Sequence, residues 1–300
     1  MYTTIPHDSL LNAIRSCTEE AFEWEANDRE IESKNLRLSW TKQDGEVSVN
    51  WIRSGRSTAN CKDSMSFSLE ELIAGVQFLV DNTYIVNGAS IRRQVIGIPM
   101  GTNCAPSLAN LFLYYYESRF IDRLSVENSE KAALFHLTFR YIDDTLSIDN
   151  PEWMSVVKQG DLYPPELKLN DTTPTEEGEA VHFLGMDILG GDSRFALSVY
   201  DKREAFSFPV RRYPHMASLI PQSIPYGVFL GQLHRGYRIC SAASDFLTFA
   251  CDVGKRLVGN GCRPRRLHRL FVSFVKRSVS KYSGVKLSHL SHAFRTSLGG

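Results

Sequence analysis

No two cysteines in this chain are spaced Cys-x-x-Cys, and its six cysteines, Cys17, Cys61, Cys104, Cys240, Cys251 and Cys262, fit neither a disulfide framework nor a familiar zinc-ligand spacing. Reduced thiols are the expectation. No apolar run approaches the roughly 20 residues needed to cross a bilayer, and the polar N-terminus lacks the basic and apolar pattern of a secretion signal. Nucleus or cytoplasm is therefore expected, with no membrane partner. No internal repeat and no low-complexity linker interrupts the chain. What is scarcest is negative charge in the last third: residues 202–300 hold 17 basic and 3 acidic residues, against 17 and 31 over residues 1–201. A net charge of zero thus conceals −14 followed by +14. Such asymmetry points to a C-terminal half that grips a polyanion, although a solvated basic face is the ordinary reading of a charge run.

At 300 residues and 43% apolar content the chain can bury one large or two modest cores. Leu10, Ile14, Cys17 and Ala21 recur at helical spacing and predict a helix over 8–25, with Asp8 as its cap. Leu36 to Trp40 and Val47 to Trp51 flank Asp44-Gly45 and predict a hairpin. Residues 53–66 are polar and read as a loop. Ser68 and Glu71 form a capping box for a helix through Leu72, Val76, Leu79 and Val80. Asn87-Gly88 turns a second hairpin, and a long helix follows over 106–124 with Pro106 in its first turn. Beyond it lie a helix near 151–159 and strands near 180–189 and 195–201. Three helices are expected after residue 225.

Two segments carry chemistry. In Phe139-Arg140-Tyr141-Ile142-Asp143-Asp144-Thr145-Leu146, apolar residues alternate on either side of two adjacent carboxylates, which predicts a hairpin with Asp143-Asp144 at its turn. Like charges so close repel unless a divalent cation lies between them, and oxygen donors of this kind suit Mg²⁺. A solvated Asp-Asp turn is the alternative. Upstream, Gln94 to Pro106 runs from a strand into a loop where Gly97 and Gly101 flank Pro99, so that the backbone can come close to a ligand. An ordinary strand-to-helix connection would use the same residues.

Taken in order, Gly97-Ile98-Pro99-Met100-Gly101 and Tyr141-Ile142-Asp143-Asp144 resemble the two central motifs of reverse transcriptases, those of Penelope-like retroelements in particular. Tyr2-Thr3-Thr4-Ile5-Pro6, His182-Phe183-Leu184-Gly185-Met186-Asp187 and Tyr200-Asp201-Lys202-Arg203 agree in order, as do Ile224-Pro225-Tyr226-Gly227 and Arg235-Gly236-Tyr237-Arg238. The resemblance implies an α+β fold: a right-hand polymerase palm, built as a split βαβ-type antiparallel sheet with helices, followed by an α-helical thumb. It places a partial palm with inserted hairpins over 1–205, a basic helical thumb over 206–285 and a tail over 286–300. By the same resemblance Asp143 and Asp144 are the catalytic metal ligands, for two Mg²⁺ ions in an intact relative. Tyr2, Gly97, Pro99 and Gly101 face template and incoming nucleotide, with Tyr2 excluding a 2′-hydroxyl. Phe183, Leu184 and Gly185 form the primer grip, and Arg263, Arg265, Arg266 and Arg269 contact phosphates. The implied partners are an RNA template, a DNA primer or RNA–DNA hybrid, and a dNTP.

The family's first catalytic Asp stands five positions before the residue matching Tyr2, and no such residue is present here. The expectation is therefore an RNA-directed DNA polymerase domain acting by two-metal nucleotidyl transfer and impaired in this chain. The competing expectation is a non-catalytic remnant that binds nucleic acid through its basic thumb.

Overall fold

The computed structural model describes every residue except 1–3, 56–63, 99–100, 175, 177, 192–193, 209, 211, 279–280, 283 and 300. Tyr2 and Pro99, and the middle of the polar stretch 53–66, thus lie outside the described residues. The fold is α+β, the strand pairs among the described residues are antiparallel, and the chain divides into two units, Met1–Asn170 and Asp171–Gly300. The break falls some 35 residues before the expected palm–thumb boundary at 205. Counted at this boundary, the first unit holds 16 basic and 24 acidic residues and the second 18 and 10. The charge contrast is therefore −8 against +8, milder than the division at 201 suggests.

In the first unit, α1 (His7–Asp28) begins behind Pro6, and Asp8 sits inside its first turn instead of capping it. There the carboxylate still opposes the positive end of the helix dipole. Strands β1 (Leu36–Gln43) and β2 (Glu46–Arg53) pair as expected, with Gln43 opposite Glu46 across Asp44-Gly45. A third strand, β3 (Ser64–Phe67), covers the other edge of β1. It overturns part of the loop expected over 53–66, since Ser-Met-Ser-Phe, with Met65 and Phe67 alternating, is too short to signal a strand by itself and pairs along the open edge of β1.

The capping box forms as read: Ser68 Oγ accepts from Glu71 N–H at 3.3 Å, and the Glu71 carboxylate accepts from Ser68 N–H at 2.9 Å. It starts α2 (Leu69–Asp81), after which β4 (Tyr84–Asn87) and β5 (Ser90–Arg93) turn through Gly88-Ala89, one residue later than expected. Helix α3 (Ala105–Glu127) carries Pro106 in its first turn and is followed by the short α4 (Ser129–Ala133). Next come β6 (Thr138–Tyr141), β7 (Asp144–Ser147) and α5 (Trp153–Gln159). Leu10 and Ile14 of α1, Val80 of α2 and Leu108 and Phe112 of α3 share one core with Leu162 and Tyr163. Each such apolar side chain withdrawn from water contributes about 1.5–3 kcal/mol.

In the second unit the segment expected as one strand over 180–189 is two, β8 (Val181–Phe183) and β9 (Met186–Leu189), broken by Leu184-Gly185. With β10 (Ala196–Val199) they form a three-stranded sheet in the order β10-β9-β8. Among the described residues four α-helices follow where three were expected: α6 (Ile224–Ile239), α7 (Ala243–Gly259), α8 (Pro264–Ser278) and α9 (Leu287–Ser297). The last occupies the expected tail. Its Leu290 and Phe294, four residues apart, enter an aromatic core with Phe229, Phe246, Phe271 and Phe274, and the Phe294 and Phe271 rings stack 4.2 Å apart. Among the described residues no helix is long and apolar enough to cross a membrane. Among the described residues the first unit holds a three-stranded sheet and two two-stranded hairpins, and the second unit the three-stranded sheet β10-β9-β8.

Candidate functional site

Tyr141 pairs with Asp144 at the end of the β6–β7 hairpin, which leaves Ile142 and Asp143 as its two turn residues. This corrects the expected turn by one position: Asp144 is already a strand residue. The shift has a physical cause, because Ile142 takes a left-handed φ of +57°. A two-residue hairpin turn asks for positive φ at its first central residue, a place that glycine ordinarily fills. A β-branched residue there costs on the order of 1–3 kcal/mol and persists only where its surroundings hold it. Both carboxylates stand exposed at the tip. Among the described residues neither has a hydrogen-bond or ion-pair partner.

What holds the turn lies directly behind it. The Arg140 guanidinium donates from Nε to Glu117 Oε1 at 2.5 Å and from Nη2 to Glu117 Oε2 at 3.0 Å. It also donates from Nη1 to Asn110 Oδ1 at 2.8 Å and to the Ile142 carbonyl at 3.3 Å. Tyr163 completes the group, its hydroxyl donating to Glu117 Oε1 at 2.6 Å. Burial, with the Glu117 charge beside it, pushes the Tyr163 phenol well above its ordinary value, so it stays a donor. The Arg140 side chain is only 15% exposed. With Glu117 27% exposed the pair is part-buried, so removing one partner costs less than the about 3–5 kcal/mol of a fully buried pair.

The glycine loop is tied to the start of α1. Gly97 N–H donates to the Ile5 carbonyl at 2.7 Å, and the His7 ring Nε2 donates to the Gly97 carbonyl at 2.9 Å. Gly97 and Gly101 have φ of +85° and +101°, and nothing lies within 4 Å of where a Gly101 Cβ would stand. Helix α3 joins the two motifs. It starts just after the loop, and Asn110, five residues in and so about 8 Å along the axis, reaches the hairpin through Arg140.

In the second unit Phe183 is buried, while Leu184 and Gly185 make a two-residue turn with φ of +49° and +76°. The Gly185 carbonyl accepts from Arg235 Nη2 of α6 and from Tyr200 N–H, both at 3.1 Å. Alongside, His182 is held through Nδ1 by Asp187 and stacks on Tyr200 with ring centroids 4.0 Å apart.

Arg263 precedes α8, and Arg265, Arg266 and Arg269 lie on it; all four are exposed. At 100° per residue, Arg265, Arg266, Arg269 and Lys276 share one face of α8. The opposite face buries Leu267, Phe271 and Phe274. Arg266 stacks over the Tyr226 ring at 4.0 Å, and none of the four arginines has an ion-pair partner among the described residues. Cys240 and Cys262 are buried and Cys251 is half-buried, with burial raising each thiol. They are core residues.

The hard oxygens of Asp143 and Asp144 match Mg²⁺ in donor type, with water to fill the remaining positions. Among the described residues no group of three or more His, Cys, Asp or Glu forms a larger metal cluster. Sequence reasoning missed Glu117 and Tyr163, and it named Arg235 within a motif without giving it a role. Arg140 gave one signal, a charge on a strand between apolar residues, whereas Tyr163 gave none, because its partner lies 46 residues away. No protein-family model matches this chain, and no curated protein matches it.

Proposed function

We propose that the chain is an RNA-directed DNA polymerase domain of the reverse transcriptase type, with Asp143 and Asp144 as its divalent-cation ligands. The observation that carries this reading is the pair of exposed, unpartnered carboxylates on a left-handed turn, braced from α3, whose start carries the Gly97–Gly101 loop. Bound Mg²⁺ supplies positive charge at the phosphates of an incoming dNTP and lowers the barrier to phosphoryl transfer. The chain's own part is to hold two exposed carboxylates and to leave the backbone at Gly101 open to template and nucleotide. Gly97, by contrast, is buried with its N–H and carbonyl both hydrogen-bonded and shapes the loop from within. In the second unit, Leu184-Gly185 keeps the primer-end role that the resemblance gives it. Arg263, Arg265, Arg266 and Arg269 neutralise phosphates of the RNA–DNA hybrid. Tyr2 and Pro99 keep the roles that the resemblance gives them.

The test is primer extension on an RNA template with dNTPs and Mg²⁺. Extension abolished by Asp143→Asn supports the reading, and extension that survives that substitution overturns the site. A second reading, nucleic-acid binding without copying, is favoured by one observation: no third acidic ligand joins the pair among the described residues. It predicts no extension, together with binding to RNA–DNA hybrids that Asp143→Asn leaves intact.

A further inference from the structure

We propose that Arg140 is a positioning residue for the carboxylate turn, clamping the Ile142 carbonyl to Glu117 and Asn110 of α3 and so holding the backbone where Ile142 would not stay unaided. The inference rests on reading Asp143 and Asp144 as a cation site, and it adds the device that keeps that site in shape.

Three observations converge on it. Ile142 is the residue of the hairpin whose backbone conformation is unfavourable, and it immediately precedes Asp143. Its carbonyl accepts a hydrogen bond from Arg140 Nη1 at 3.3 Å. The same nitrogen and its neighbours are fixed by Glu117 and Asn110, and Glu117 is itself fixed by Tyr163. Only a planar fork of donors can reach two partners on a helix and a carbonyl on the turn at once. Lysine, a single point charge on a flexible stem, cannot replace it. Arg140 reaches neither carboxylate: its hydrogen bonds end at the backbone one residue before Asp143. Its role is thus to fix the direction in which two charged side chains leave the turn, as outer-sphere partners do around metal ligands.

The test compares Arg140→Lys, Ile142→Gly and the double variant of the full chain with the unaltered protein, by amide hydrogen exchange over Thr138–Ser147. Loss of the clamp releases a strained turn, so Arg140→Lys exchanges faster there by about ten- to a hundredfold, while α1 and the body of α3 keep their rates. Adding Ile142→Gly returns most of that protection, because glycine takes positive φ without help. Unchanged hairpin exchange overturns the proposal. So does acceleration spread over the whole first unit, or acceleration that Ile142→Gly does not relieve, since either would make Arg140 an ordinary packing residue.

A parallel Mn²⁺ titration, following the free ion by electron paramagnetic resonance, keeps the two readings apart. The unaltered protein binds the ion, Asp143→Asn loses it, and Arg140→Lys weakens it by about ten- to a hundredfold, with recovery in the double variant. If the unaltered protein binds no Mn²⁺, the cation-site reading fails, and the exchange result still decides whether Arg140 holds the turn.

Discussion

A Cβ built on Gly185 would lie 2.6 Å from Arg235 Nη2, the atom that donates to the Gly185 carbonyl. Glycine is favoured by its φ of +76°, and any added Cβ would push the flexible Arg235 guanidinium away from the carbonyl it holds. Gly185→Ala should destabilise the chain by about 3 kcal/mol, combining left-handed strain with the loss of a charged hydrogen bond. In an Arg235→Ala background the same change should cost only about 1–2 kcal/mol, the strain alone. Urea denaturation of the four proteins in a double-mutant cycle measures the difference. Additive effects would show that the two residues do not act together.

Helices α6 and α7 meet at Gly236, where an added Cβ would stand 2.6 Å from Phe249 Cδ1 and 3.3 Å from Phe246 Cδ2. Overpacking of this kind costs about 1–3 kcal/mol and should outweigh the roughly 1 kcal/mol that alanine gains over glycine in a helix. Gly236→Ala is therefore expected to lower the melting temperature. On the same helix nothing lies within 4 Å of a Cβ at Gly227 or Gly231, so alanine there should raise it. A Gly236→Ala protein as stable as those two controls would contradict the packing.

Asp201 accepts from Arg203 Nε at 2.8 Å and from Arg256 Nη1 at 2.7 Å. Burial works to raise its carboxyl, and the hydrogen bonds and charge of Arg203 outweigh that, leaving it below its ordinary value of 3.8. A depressed folded-state value means that Asp201 stabilises the fold fully above about pH 5 and loses its effect as the pH falls through that value. Asp201→Asn should cost roughly 1.5–3 kcal/mol at pH 7, and the gap from the unaltered protein should close in acid, below the ordinary 3.8. Chemical denaturation across pH 2 to 7 reads it directly; a constant gap would exclude the ionic contribution.

If the outer face of α8 holds nucleic acid, affinity for an RNA–DNA hybrid should fall linearly with salt on logarithmic axes. Replacing Arg265, Arg266 and Arg269 together by alanine should flatten that slope by about 0.7–0.9 for each phosphate no longer neutralised. Fluorescence anisotropy at several salt concentrations gives the slopes. Equal slopes for the two proteins would move the binding surface away from this face.

Local signals were strong enough to read α1, the Ser68–Glu71 cap, the β1–β2 hairpin and α3 directly from the residues. They failed where a segment owes its structure to a neighbour. Strand β3 exists because β1 leaves an edge open, and α9 exists because Leu290 and Phe294 find an aromatic core, although the helix is otherwise Ser- and His-rich. Within the site, the carboxylates and the glycine loop were legible as residue types in order. The turn was misplaced by one residue because no propensity favours Ile142 at positive φ.

Hydrophobic spacing and turn chemistry within a few residues are enough to set the α+β class, the periodic helices and the placing of two adjacent acids at the end of a hairpin. Folding in three dimensions adds the rest: Arg140, Glu117 and Tyr163 converge behind that hairpin, Arg235 grips the Gly185 carbonyl, and the chain divides at Asn170. Those interactions join residues 23 to 50 positions apart. Their energy depends on distance and burial in space, which no local pattern encodes.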